Sequence, residues 1–503
     1  MENKTRETLG SRLGFILLSA GCAIGLGNVW RFPWLVGQNG GAVFVLLYLV
    51  FLLLLGIPVM TMEFTMGRAA RRSPLHMYRA LAPEKPAWSW HGPVCFVANY
   101  LLMMFYTTVC GWMVLYFAKF ATGQLSGLTP AEVGGAFGGM LGDPVLLCTA
   151  MALVVVLGFF ILSMGLRTGL ERVTKAMMLL LLGMMVLLAV NSCFLEGGGK
   201  GVAFYLKPNL DHFLHAEGGP GRVCVNAMNQ AFFTLSLGIG SMAIFGSYIG
   251  KERSLLGESL NVTLLDTFVA IVAGLIIFPA CFAYNGGETG AGPGLIFVTL
   301  PNVFNAMPGG RVWGTLFFAF MTFAAFSTVL AVFENILAMT MDRTGWSRQK
   351  ACAACCGLVF VLSLPCALGF NLLSDVHPLG PDSGFLDLED FLVSNLALPG
   401  GALLFALFCT HRFGWGWDAF VAEANAGKGA RIPTSGLART LLRVYLGWIL
   451  PLVIAIVLVV GLVDKYDEIT TKLAAARLAE LQKAAEPVAA EAESPADAEA
   501  GGR

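Results

Sequence analysis

The residues best placed to do chemistry lie where long apolar runs are interrupted. In the first run, residues 21–33 read GCAIGLGNVWRFP, with three glycines, Asn28, Arg31 and Pro33 at a depth where a plain membrane helix would carry leucine. A second interruption, FTLSLGIG at 233–240, places Gly238-Ile239-Gly240 against the earlier Gly25-Leu26-Gly27. A third feature is a single carboxyl, Asp266, inside another apolar run. Broken backbone frees carbonyls for a hard cation and amides for a carboxylate. Within hydrocarbon, unpaired peptide groups cost several kcal/mol each, so such backbone persists only inside protein or beside a watery cavity. An intramembrane acid costs roughly 2.5 to 3.5 kcal/mol on insertion scales and is expected to face a cation.

Eleven membrane spans position these groups, at about 13–36, 41–62, 94–120, 145–164, 176–195, 223–249, 260–282, 312–341, 351–373, 391–409 and 441–463. Of the 503 residues, 56% are hydrophobic and 13% charged, which fits an all-α polytopic membrane protein and excludes an ordinary soluble globule. The interruptions fall in the first and sixth spans, the opening helix of each of two five-helix sets. Matching breaks of this kind point to an inverted repeat with a site at mid-membrane. Small residues also serve close helix packing, and either Gly-x-Gly alone would read that way. The expected organisation is a membrane domain over 1–463, with repeats at about 12–195 and 222–412 and an extra helix at about 437–463. A polar tail, 464–503, is expected to form a short helix and then a disordered end.

With the amino terminus cytoplasmic, 21 Lys and Arg fall in inner loops and only five in outer loops. That asymmetry predicts the amino end inside, the carboxyl end outside and a multi-pass protein of the cell (inner or plasma) membrane. The charged amino end runs into a full-length span without a small-residue cleavage site, so no cleaved leader is expected. Most of the twelve cysteines lie within spans as small hydrophobes, and Cys352, Cys355 and Cys356 read as helix packing rather than a metal cluster. No acid and base pair, nucleophile or ligand cluster converges, so an enzyme is not expected. No nucleic-acid partner is expected either; the lipid bilayer is the implied surrounding, and the oligomeric state is left open.

SRLGFILLSAGCAIGLGNVWRFP, GIPVMTMEFTMGR, FYTTVCGW, GLRTGLER, QAFFTLSLGIG, FVTLPNVF and FAAFSTVLAVFEN together resemble the neurotransmitter:sodium symporter family, in its bacterial amino-acid transporters of leucine-transporter type. The resemblance implies a sodium-coupled importer of L-amino acids with two sodium ions. The first would be held by the Ala23 carbonyl, Asn28, Thr234 and Asp266, completed by the substrate carboxylate. The second would meet the carbonyls of Gly21, Ile24 and Ala324 and the hydroxyls of Ser327 and Thr328, although membrane Ser and Thr often bond back to their own helix.

The same resemblance places the substrate carboxylate on the amides of Leu26 and Gly27 and on Tyr106, and its amino group on the carbonyls of Ala23, Phe233 and Thr234 and on Ser236. Its side chain would meet Leu102, Phe233, Ile239, Thr328 and Val332. Gly25 stands where amine-carrying members place an Asp, so the carboxylate must come with the substrate, and a neutral, hydrophobic or aromatic L-amino acid follows. Tyr48, Gln230 and Thr234 match part of a chloride site, but Ala270 does not, and Asp266 would supply the charge, so chloride is not expected. Arg31 and Asp390 match an outer gate with Phe233 as lid. Arg6 and Asp342, supported by Tyr248, match an inner one, and Glu63 and Glu334 match buried structural carboxylates. Two positions depart from the family: Leu9 where Trp is common, and Leu179 where a proline would let the fifth span unwind. A membrane receptor that binds an amino acid without moving it, or a channel, would share these features.

Overall fold

The computed structural model describes residues 8–216, 218–287 and 292–492, with side chains through 478. Arg6 and the end of the tail from 493 lie outside the described residues. Among the described residues the fold is helical, and its one β-bridge pairs Arg253 with Lys428. Nine helices of the described residues are long and apolar enough to cross a membrane: Ala42–Ala70, Pro86–Thr122, Pro144–Ser163, Leu166–Cys193, Leu255–Tyr284, Gly310–Thr344, Arg348–Leu368, Phe385–Thr410 and Gly436–Leu478. A tenth span is the pair Arg12–Ala23 and Gly27–Gln38, bent by 52°. The expected sixth span is present as two short helices, Gly219–Thr234 and Ser241–Gly246. Each piece is too short to cross alone, because the interruption predicted at 233–240 divides it.

The causes of both breaks are local. Ser11 caps the first helix by accepting from the Gly14 amide at 3.0 Å, and the helix stops where Ile24 turns extended (φ −71°, ψ 100°). In the sixth span Ser236, Gly238 and Gly240 have φ of +51°, +94° and +76°, which no right-handed helix accommodates. At Gly238 there is also no room: a Cβ would lie 2.0 Å from the Leu398 carbonyl oxygen of the tenth span.

The eighth span, Gly310–Thr344, is the axis of the bundle. It packs on the first, third, fourth, fifth and ninth spans, and 78% of its most apolar window is buried. Apolar side chains such as Leu53, Val145, Phe160, Leu264 and Trp448 point outward on the peripheral spans, as a lipid solvent requires. Among the described residues five short π-helical segments interrupt the spans, including Gly27–Arg31 beside the first break, Leu166–Glu171 at the start of the fifth span and Leu392–Ala397 in the tenth, and a sixth, Leu295–Thr299, lies between the seventh and eighth. The last helix runs without interruption to Ala492, so the predicted short tail helix is a continuation of the eleventh span.

Gly238→Ala should lower the melting temperature of the detergent-solubilised protein, since the left-handed φ alone costs about 1 to 2 kcal/mol before the overlap with Leu398 is counted. Gly135→Ala, in the helix Pro130–Leu141 with no neighbouring atom in the way, should leave it unchanged or raise it.

Candidate functional site

The two breaks meet in the bundle centre around a small pocket. It is lined by Cys22, Ala23, Gly25 and Gly27 of the first span, Leu102 and Tyr106 of the third, Phe233 and Ser236 of the sixth, Thr328 of the eighth and Leu398 of the tenth. Eight of these were legible in the sequence. Gly25 is small because nothing larger fits: a Cβ there would stand 2.2 Å from Tyr106 Oη and 2.4 Å from Thr328 Oγ1. The Leu26 amide donates to Tyr106 Oη at 2.8 Å, and the same hydroxyl faces the Thr328 side chain. Ser236 donates to the Cys22 carbonyl at 3.1 Å, which leaves its oxygen lone pairs as acceptors.

Four residues expected at the pocket are not among those lining it: Leu26, whose amide is taken by Tyr106, Thr234, whose hydroxyl faces Asp266, Ile239 and Val332. Ile239 is buried between two left-handed glycines, and its carbonyl accepts from Asn99 Nδ2 at 3.0 Å. Val332, one helical turn beyond Thr328, is fully buried in the eighth span. In their place stand Cys22, which the 21–33 stretch already contained, and Leu398, an ordinary leucine before a proline with no signal in the sequence.

Asp266 is fully buried. Its carboxylate accepts from Asn28 Nδ2 at 2.8 Å and from the Thr234 hydroxyl at 3.1 Å. Tyr48 turns its hydroxyl toward the same carboxylate, short of good hydrogen-bond geometry. No ion pair among the described residues involves Asp266. A buried carboxylate with only neutral donors around it lacks a compensating charge, and a small cation fits that need. Asn28 differs from expectation in one respect. Its amide nitrogen faces Asp266 while its oxygen accepts from the Gly25 amide at 3.2 Å, so to serve as an oxygen ligand it would turn over.

The second cluster lies between the first and eighth spans. Thr328 Oγ1 stands 3.1 Å from the Gly21 carbonyl, 3.2 Å from that of Ile24 and 3.4 Å from that of Ala324. One hydroxyl proton cannot satisfy three carbonyls, so oxygen atoms remain to be neutralised, and a hard cation suits them. Ser327, by contrast, bonds back to Ala324 of its own helix at 3.0 Å.

Above the pocket the Arg31 guanidinium lies 4.4 Å over the Phe233 ring. It reaches Asp390 at 3.9 Å, and Ser394 links the two, accepting from Arg31 at 3.0 Å and donating to Asp390 at 2.6 Å. The outer pair is thus bridged by a hydroxyl that sequence reasoning did not single out. On the opposite side Asp342 accepts from the Ser73 amide at 2.8 Å. Tyr248 donates to Glu334 at 2.9 Å, and Glu334 also pairs with Arg348. Glu171, equally unpredicted, ties down the amino-terminal segment by accepting from the Gly10 amide at 2.7 Å and the Ser11 hydroxyl at 2.8 Å. Leu9 rests beside Tyr248, its amide 3.4 Å from that carbonyl, and Leu179 is exposed on the bundle surface. The irregular turn of the fifth span lies ahead of Leu179, at Leu166–Glu171.

Comparison with known proteins agrees with this geometry. The model of the sodium:neurotransmitter symporter family matches residues 6–129 and 139–371. An uncharacterised sodium-dependent transporter of Bacillus subtilis, YhdH, is 36% identical over 79% of this chain and 86% of its own. One from Haemophilus influenzae is 30% identical over 81% and 89%. Among solved structures, MhsT in complex with L-phenylalanine superposes with a TM-score of 0.80 at 38% identity, covering 91% of this chain and all of that one. A helical bundle broken at mid-membrane around buried oxygen clusters, with these relatives, is a multi-pass sodium-dependent transporter and no enzyme: the chain belongs to the sodium:neurotransmitter symporter family.

Proposed function

We propose that this transporter imports neutral, hydrophobic or aromatic L-amino acids together with two sodium ions, by alternating access and without chloride. The observation that carries the reading is the pocket itself. It is apolar on most sides and has no acid of its own, while the Tyr106 and Ser236 hydroxyls stand beside the opened backbone. A zwitterion brings the carboxylate for the first and the ammonium for the second, and its side chain takes the apolar remainder. The phenylalanine bound to the related MhsT supports this substrate class.

The first sodium would lie at Asp266, Thr234, Asn28 and the Ala23 carbonyl, and the second among Gly21, Ile24, Ala324, Ser327 and Thr328. Asp266 supplies a fixed negative charge where a chloride would otherwise be needed. Each inward charge gains about 2.3 kcal/mol per 100 mV, so two sodium ions can drive accumulation of an electroneutral substrate. The Arg31, Ser394 and Asp390 link with Phe233 closes the outer path. Asp342, Tyr248 and the amino-terminal segment close the inner one, with Arg6 assigned there by resemblance. The domain organisation follows: two five-helix halves, an eleventh helix and a tail, with the amino end cytoplasmic and the carboxyl end outside. A receptor that binds without transport is not favoured, because the chain belongs to a family of symporters.

Purified protein in proteoliposomes should take up labelled L-phenylalanine at least tenfold faster with an inward sodium gradient than with choline. Equal uptake in choline, for every hydrophobic amino acid tried, would overturn the reading. Replacing chloride by gluconate should leave the rate unchanged, and a large loss would remove Asp266 from the role given to it. Asp266→Asn should weaken sodium activation roughly 100-fold or more, the scale of a broken buried charge pair, read as the sodium concentration for half-maximal uptake. Gly25→Ala, by placing a methyl against Tyr106 and Thr328, should abolish substrate-induced thermal stabilisation.

A further inference from the structure

We infer that Asn335 of the eighth span, together with Asn99 of the third, positions the ammonium end of the substrate pocket through Ser241. The inference deepens the amino-acid reading above and rests on it. Asn335 and Asn99 are both fully buried. Asn99 Nδ2 donates to the Cys95 carbonyl of its own helix at 2.7 Å and to the Ile239 carbonyl, in the opened part of the sixth span, at 3.0 Å. Its oxygen accepts from Asn335 Nδ2 at 3.3 Å, and the same nitrogen donates to Ser241 Oγ at 2.7 Å. All four N–H donors of the pair are thus engaged. The pattern admits one orientation of each amide: turned over, Asn99 would set its oxygen against two carbonyls, and Asn335 would set its own against that of Asn99.

The fixed pair reaches the pocket by a polar chain. Ser241 opens the helix Ser241–Gly246, where the sixth span resumes. Its oxygen accepts from Asn335, and its hydroxyl also faces the Cys22 thiol of the first break. The Ser236 hydroxyl faces the same thiol and donates to the Cys22 carbonyl at 3.1 Å. Cys22 and Ser236 both line the pocket, and Ser236 is the hydroxyl to which the reading above gives the ammonium. Ser236 needs such support. Its φ of +51° is left-handed, a conformation that a residue with a side chain keeps only where its surroundings impose it. Beyond it the chain is held at Gly238, Ile239 and Ser241 by Glu63, Asn99 and Asn335 in turn. Asn335 is not among the residues lining the pocket, so it acts through Ser241 as a positioning residue.

The test uses the full chain in proteoliposomes with Asn335→Leu, Ser241→Ala, the double variant and a control, Thr322→Val, which removes a hydroxyl bonded to Phe318 of its own helix. Uptake of labelled L-phenylalanine gives KM and the maximal rate per folded transporter. Ligand-induced melting shift in detergent gives the affinity of any variant that binds without transporting. Each single variant should raise KM about tenfold, the scale of one buried hydrogen bond lost, and leave the maximal rate near that of the parent. Because both residues act along one chain, the double variant should lose no more than the larger single effect, whereas independent damage would multiply to about a hundredfold. Thr322→Val should keep the parent KM. An unchanged KM in both single variants, a loss confined to the maximal rate, or a multiplicative double variant overturns the assignment. If Asn335→Leu does not fold, Ser241→Ala decides alone: a raised KM supports the assignment and an unchanged one overturns it. Failure of the underlying reading is seen separately, as absence of sodium-dependent amino-acid uptake by the parent protein.

Discussion

The structure depends on one constraint: a helix opened inside a membrane must have its freed peptide groups bonded by something else. Here side chains from neighbouring spans do it. The Gly238 amide donates to Glu63 of the second span at 2.6 Å, the Ile239 carbonyl accepts from Asn99 of the third, and the Gly27 carbonyl accepts from Gln230 of the sixth at 2.8 Å. Asn335 of the eighth span donates to the Ser241 hydroxyl at 2.7 Å, where the sixth span resumes. The bonds to Gly238 and Ile239 replace helical ones that the break removed, those to Gly27 and Ser241 add to bonding at its edges, and each would cost a buried, unpaired group if lost.

Seen this way, the groups that remain uncompensated stand out. Thr328 faces three carbonyls with a single proton, and Asp266 sits among neutral donors. Other buried polar atoms also lack a protein partner, both carboxyl oxygens of Glu389 among them, but these two clusters border the breaks themselves. On the reading proposed above they hold the cations, since a site whose own bonds are full has nothing to offer one. On the same reading the one stretch from Gly21 to Asn28, shared by the first cluster, the pocket and the second cluster, would couple them.

Much of this was readable from the sequence, for a physical reason. Glycine, asparagine and a carboxyl within apolar runs are costly there, so their presence marked the breaks and Asp266 directly. The positions that escaped notice carry no such cost. Leu398 is a leucine among leucines, and nothing in its type or spacing marks it as a pocket-lining residue. Ser394 became part of the outer pair through a bend that no spacing rule encodes. Glu171 belonged to GLRTGLER, yet its bonds to Gly10 and Ser11 span some 160 residues. Ile239 was assigned to the pocket by resemblance alone; it lies between two glycines of positive φ and is not among the lining residues.

The π-helical turn of the tenth span carries a consequence for how such a chain can change. Its extra residue lies between Asp390, which answers Arg31 above the pocket, and Leu398, which borders the pocket below. Deleting any one residue there would give a more regular and intrinsically better helix. It would also swing one of the two by about 100° relative to the other. Local helical quality and the alignment of mouth with cavity therefore oppose each other in this segment, and the irregular form is the one in which both ends face inward at once.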